Sequence, residues 1–284
     1  MTTFFHMRFL TGTAAFLLTI FSVTAQDFKT YLQDNALRIS RTDSLDKSVY
    51  NLLSNYELIM LGEMHGTNEP AEFVIALTKL LIANDDSVQV GLEIPSGQMT
   101  IFFKEQTDSS IFHSDFFSRT AIDGRENLAW IKIISTFRMD KRVKLFFFDT
   151  DYFSGSRDSL MYLNIKKQIQ KNPEHKTIIL SGNVHNMIIP HMGTTTTACY
   201  LKADKELNIS DKFCSINHCC RSGTMINNIG KGLEVREVNY DKTIFSAIDS
   251  DAYIVLFPKT TTDGYNGVYF TKFVTAAKLI NGNR

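Results

Sequence analysis

From Gln26 onward, short apolar runs alternate with longer stretches in which apolar residues recur at helical spacing. The runs "ELIML" (57–61), "VQVGLEI" (88–94), "VKLFFFD" (143–149), "KTIIL" (176–180), "LEVREV" (233–238) and "AYIVLF" (252–257) read as strands. The first, third and fourth are nearly continuous in apolar residues, the pattern of strands covered on both faces. Between them, "EPAEFVIALTKLLIAND" (69–85) gathers Phe73, Leu77, Leu80 and Leu81 on one helix face, and the segments 126–141 and 156–172 behave similarly. Strands alternating with helices of this length predict an α/β fold, a mostly parallel central sheet covered by helices on both faces. Residues up to about Asn55 read as helical and as packing on an edge of that sheet. The cysteine-containing region, continuing to Gly232, reads as an irregular insertion. No repeat or linker divides the chain, so 26–284 reads as a single α/β domain.

The first 25 residues stand apart from this pattern. One basic residue, Arg8, precedes the apolar segment from Phe9 to Val23, and Thr24 and Ala25 offer small residues for cleavage before Gln26. This is the layout of a secretory signal peptide, so the mature protein is expected to be exported, periplasmic or secreted. The apolar run is short and interrupted by Thr11, Gly12 and Thr13, whereas a spanning helix needs ~20 apolar residues. Later segments offer no stable membrane span either.

Composition adds an exclusion. The 284 residues are 44% hydrophobic, 21% charged and 12% aromatic, enough for a large core. Removing Arg8 with the leader leaves 29 Lys and Arg against 30 Asp and Glu, with no basic block. That balance gives no reason to expect nucleic acid as a partner and points to a small-molecule or peptide substrate. The four cysteines, Cys199, Cys214, Cys219 and Cys220, fall in one window, which in an exported protein suggests disulfides. Adjacent Cys219 and Cys220 would each reach back to Cys199 or Cys214 rather than to each other. The rival reading takes "CSINHCC" with His218 as a soft metal site, on a spacing that matches no familiar zinc pattern.

Ligands of open parallel sheets bind beyond the carboxyl ends of the strands, so the residues that follow each strand carry the chemical information. After "ELIML" come Gly62, Glu63 and His65. The second strand delivers Glu93, the third Asp149 and then Asp151, and the fourth Gly182, Asn183, His185 and Asn186. Singly, each has an ordinary explanation as a cap or a hydrogen-bonded structural residue. Jointly, they converge on one crevice. A histidine can take a proton from water while a carboxylate holds its tautomer, which outlines water-mediated hydrolysis. The same groups can hold a divalent metal that acidifies a bound water, with His65, Glu93 and His185 as ligands. Ser181 lacks a Gly-x-Ser-x-Gly elbow, and no Gly-x-Gly-x-x-Gly or Walker lysine supports a nucleotide.

The ordered motifs "LGEMHGTNE", "GLEIP" and "SGNVHN" resemble the superfamily that unites erythromycin esterases, ChaN-type haem-binding proteins and the TraB/Tiki group. The shared feature is a pair of Gly-x-x-His motifs at strand ends with a glutamate between them. "DGRENLAWIKII", leading into "VKLFFFD", is similar to the middle of that family. The resemblance implies that His65 is a general base or metal ligand, that Glu63 and Glu93 orient it or bind metal, and that His185 completes the site. It also implies that Arg125 contacts an anionic or carbonyl group. Asp149 and Asn183 join it as substrate-side candidates. Glu69 is a further one, set against its ordinary role as an acidic residue beside Pro70 at a helix start. The chain is short for the large cleft of the macrolide esterases. For a haem-binding member, Tyr152, Tyr200 and His191 are the candidate axial ligands. The expected function is thus exported, hydrolase-like cleavage of an ester or amide. Its alternative is periplasmic haem or metal binding without turnover.

Overall fold

The alternating pattern folds into one nine-stranded sheet. The structure, a computed structural model, describes residues 28–99, 114–118, 123–150, 156–228, 230, 232–240, 243–258, 260–261 and 263–280. The expected leader, Asp151 and Tyr152 lie outside the described residues. The strands are β1 (Leu37–Arg38), β2 (Leu58–Glu63), β3 (Val88–Pro95), β4 (Val143–Asp149), β5 (Lys176–Gly182), β6 (Phe213–Asn228), β7 (Leu233–Asn239), β8 (Ala252–Leu256) and β9 (Gly267–Val274). Their order is β1-β8-β9-β6-β2-β5-β3-β4, with β7 paired to the far half of β6. The pairs β2–β5, β2–β6, β3–β4, β3–β5 and β6–β9 are parallel, and β1–β8, β8–β9 and β6–β7 are antiparallel.

Side chains of the central strands alternate between two cores, as the period of two requires. Ile59 and Leu61 of β2, Val90 and Leu92 of β3, and Ile178 and Leu180 of β5 pack with helices α1 (Lys47–Leu53), α2 (Glu69–Ala83) and α3 (Leu128–Phe137). Leu58, Met60, Phe146, Phe148 and Ile179 pack on the other face with Met161 and Ile165 of α4 (Arg157–Lys171) and Leu201 of α5 (Thr197–Ala203). Each such side chain contributes about 1.5–3 kcal/mol on burial. Helix starts are set locally. Asn127 accepts from the Trp130 amide at α3, Ser156 caps α4, and Pro70 with Glu69 and Glu72 opens α2.

Three expectations change. The cysteine region is no irregular insertion. It contributes α5 and then β6, a 16-residue strand paired with β2 on one side and β9 on the other. The sequence hides β6 because Ser215, His218 and Cys220 are buried within it and break the apolar run. The disulfides are absent, and all four cysteines are free thiols. On one extended strand Cys214 and Cys220 lie about 20 Å apart at ~3.3 Å per residue, and Cys219 faces the opposite side. Cys214, His218 and Cys220 share a face of the strand, but among the described residues no group of three or more such side chains is arranged to hold a metal, and His218 Nε2 pairs with Thr271 Oγ1 at 2.9 Å. Finally, the edge expected to be covered by helix gains a strand, as Leu37 and Arg38 pair with β8. Among the described residues no helix is long and apolar enough to cross a membrane.

Candidate active site

Parallel pairing in register brings the ends of β2, β5 and β3 to one rim, with Glu63 opposite Gly182. Two glycines permit the close approach. A Cβ at Gly62 would lie 2.9 Å from the Asn183 Cα, and one at Gly182 would lie 2.8 Å from His65 Nε2. Backbone and imidazole therefore occupy space that any larger residue would take. Above this rim lies an open cleft of about 280 Å³ lined by Glu63, Met64, His65, Asp123, Gly182, Asn183, Val184, His185, Met225 and Asn227.

Glu63, the last residue of β2, is 1% exposed. Its Oε1 lies 2.8 Å from His65 Nδ1, and the indole Nε1 of Trp130 donates to both carboxylate oxygens at 3.1 and 3.3 Å. With Glu63 ionised, Nδ1 carries the proton and donates, which leaves the Nε2 lone pair facing Gly182 and the cleft. Burial lowers the His65 pKa, but its bond to Glu63 and the charges of Glu93 and Glu63 outweigh this and hold it above the ordinary value of 6.5. Burial likewise pushes the Glu63 carboxyl up, and the bonds from His65 and Trp130 only partly offset it.

Glu93 stands behind this couple with every oxygen engaged. Its Oε2 accepts from the Gly182 amide at 2.6 Å, and its Oε1 accepts from Arg125 at 3.0 Å and Arg157 at 2.6 Å. Both guanidinium groups also bind Asp149, at 2.8 Å from Arg125 and at 2.7 and 2.8 Å from Arg157. Burial alone would raise the Glu93 pKa. The charges of Arg125, His185, His65 and Arg157 reverse it and hold the carboxyl far below the usual range. Arg125 spends its remaining donors on the Glu93 carbonyl and on Asp123. Arg125 is 7% exposed, and its donors turn inward to these partners. Asp149 is buried between the two arginines in the same way.

His185 sits in the 3-10 turn that follows β5 and lines the cleft. Its Nδ1 lies 2.8 Å from Asp158 Oδ1 and its Nε2 3.0 Å from Arg157, so both ring nitrogens have partners. Asp158 is fixed in turn by the Thr197 amide and hydroxyl. Asn183 lines the cleft, and its carbonyl accepts from Tyr265. Glu69 lies elsewhere. Its Oε1 accepts from the amide and hydroxyl of Thr275, tying the start of α2 to the segment after β9. The structure therefore brings Glu63, His65, Glu93, Arg125, Asp149, Asn183 and His185 together and leaves Glu69 out. Strand ends carry no signal for Trp130, Arg157 and Asp158, because these lie in the first turns of α3 and α4. An Arg-Asp pair opening the helix after Asp149 was the available clue.

The donor set fits a divalent metal poorly. His65, Glu93 and His185 do not form a ligand cluster, because Glu93 is saturated by two guanidinium groups and an amide. Two fixed cations at that carboxylate would also repel a metal ion. Among the described residues no cluster of three or more His, Cys, Asp or Glu is arranged to hold a metal. Of the haem-ligand candidates, Tyr200 stacks on Tyr162 at 5.4 Å and the backbone of His191 bridges to Thr194, and neither residue lines the cleft.

No protein-family profile and no curated protein sequence matches the chain. Solved structures do. The chain is similar to a protein from Bacillus cereus, with 9% identity and a TM-score of 0.64 over 90% of this chain and 99% of the other. It is similar to a mutant of the erythromycin esterase EreC in its open conformation, with 12% identity and a TM-score of 0.64 over 85% and 97%. A succinoglycan biosynthesis protein gives 8% identity and a TM-score of 0.64 over 90% and 99%. At such identities the likeness is one of fold, and it is the α/β fold implied by the two Gly-x-x-His motifs.

Proposed function

We propose that the protein is a hydrolase that cleaves an ester or amide by metal-free activation of water, with His65 as general base. The observation that carries this reading is the 2.8 Å Glu63–His65 contact, which leaves Nε2 as the acceptor facing the cleft. Nε2 takes a proton from a water molecule as its oxygen attacks the carbonyl carbon. The buried Glu63 carboxylate stabilises the imidazolium that forms. The proton then passes from His65 to the leaving alcohol or amine as its bond to the carbonyl carbon breaks, giving a carboxylic acid and the free leaving group. Asn183 and Asn227 line the cleft and are the neutral side chains available to donate to the developing oxyanion. The Glu93–Arg125–Arg157–Asp149 cluster holds the rim rigid through Gly182, and the Asp158–His185–Arg157 chain holds the opposite wall.

The erythromycin esterase likeness supports the fold on which such chemistry is built. Export through the leader at 1–25 belongs to the same proposal, and N-terminal sequencing of the secreted chain, expected to begin at Gln26, checks it. Turnover is tested with a panel of small aryl, alkyl and amino-acyl esters and amides. His65→Ala should abolish hydrolysis while circular dichroism stays that of the wild type. A His65→Ala protein that hydrolyses any panel member at the wild-type rate would end this reading.

A further inference from the structure

We infer that Trp130 is a positioning residue, its indole N–H fixing the Glu63 carboxylate in the orientation that keeps His65 Nε2 on the cleft. The catalytic half of this inference rests on the reading of His65 as the base. The chain has one tryptophan, and it is fully buried beneath the site. A buried indole N–H needs an acceptor, and here the acceptor is the same carboxylate that holds His65 Nδ1. The indole bridges both oxygens at 3.1 and 3.3 Å, which sets the rotation of the carboxylate as well as its location. With one oxygen also on His65 Nδ1, the plane of the carboxylate and the tautomer of the ring are set together.

Trp130 is itself anchored through its backbone at the start of α3. Its own amide is capped by Asn127 Oδ1 at 3.0 Å, and the Asn127 side-chain amide donates to the Gly124 carbonyl at 2.6 Å. The adjoining Leu128 amide bonds to the Lys278 carbonyl at 2.8 Å. The edge of the ring system also backs the imidazole, with centroids 6.4 Å apart and planes at 68°. Trp130 does not line the cleft, so it acts on chemistry through Glu63 and not by touching substrate.

Because Trp130 is the sole tryptophan, feeding a tryptophan auxotroph with β-(3-benzothienyl)alanine replaces its N–H by sulfur and keeps the ring shape. Trp130→Phe is the companion variant. For the isostere we expect kcat to fall about 10–100-fold with KM within twofold, as for a reacting group displaced by a fraction of an ångström, and the thermal midpoint to fall by a few degrees as Glu63 Oε2 loses its donor. Independently of turnover, the single indole N–H resonance of the ¹⁵N-Trp-labelled protein should move when Glu63→Gln removes the carboxylate charge. Wild-type kcat in a folded isostere overturns the positioning role, and an indole resonance indifferent to Glu63→Gln overturns the bond itself. If no ester or amide is turned over, the hydrolase reading fails while the resonance still decides the bond.

Discussion

Gly182→Ala isolates the contact between β5 and His65. The Gly182 backbone, at φ −55° and ψ 140°, suits any L-residue, so the substitution adds one methyl group without backbone strain. That methyl carbon would lie 2.8 Å from His65 Nε2, 3.2 Å from its Cε1 and 3.6 Å from Glu93 Oε2. Carbon and nitrogen rest at about 3.5 Å, so the imidazole must retreat by roughly 0.7 Å. Its tether is the 2.8 Å bond to Glu63, and a displacement of that size disturbs a bond whose useful range spans only a few tenths of an ångström. Overpacking of this kind costs about 1–3 kcal/mol, and at roughly 2–4 °C per kcal/mol for a chain of this size it is readable by calorimetry. Displacing the base by most of an ångström should lower kcat/KM about 100-fold. Calorimetry and ester hydrolysis on the same preparation check both. A variant with wild-type thermal midpoint and wild-type kcat/KM would refute the close packing of His65 on β5.

Glu93→Gln should destabilise the fold by about 3–5 kcal/mol in urea titrations, because it leaves Arg125 and Arg157 facing an uncharged amide. The folded pKa of Glu93 lies below its ordinary value of 4.5. Its contribution is therefore whole above about pH 4.5 and is lost as pH falls toward the folded value, so stability should fall less steeply below pH 4.5 in the variant. A variant as acid-sensitive as the wild type would remove Glu93 from that role. Burial pushes the thiols of Cys219 and Cys220 up to about 12 and about 11 and raises Cys214 as well. Ellman's reagent at pH 8 should therefore react slowly with these in the native protein and count four thiols in guanidinium without reductant. A count below four would restore a disulfide.

Much of the site was legible because it is built at strand ends. Glu63, Glu93, Asp149 and His185 each follow an apolar run whose ending is visible in sequence, and parallel pairing makes those ends meet. Arg125 was visible but its role was not, since a sequence does not reveal that all its donors turn inward to Glu93, Asp149 and Asp123. Trp130, Arg157 and Asp158 enter from the first turns of helices, where ordinary amphipathic patterning covers them. Strand β6 escaped because its buried positions include Ser215, His218 and Cys220, and β9 because "GVYFTKFV" follows a loop with no helix before it. Glu69 misled because an acidic helix start beside a histidine motif looks the same whether it faces a cleft or, as here, Thr275.

In the proposed reaction His65 acts as the base, with Glu63 holding its proton on Nδ1. The most direct test is the pH dependence of kcat/KM for wild-type and Glu63→Gln proteins on the best ester of the panel. The wild-type rate should rise with pH through a midpoint above 6.5, the direction in which Glu63 and Glu93 move His65. In Glu63→Gln that midpoint should shift to lower pH, and the plateau should fall on the order of 10²–10⁴-fold. Superimposable profiles with equal plateaus would contradict the account.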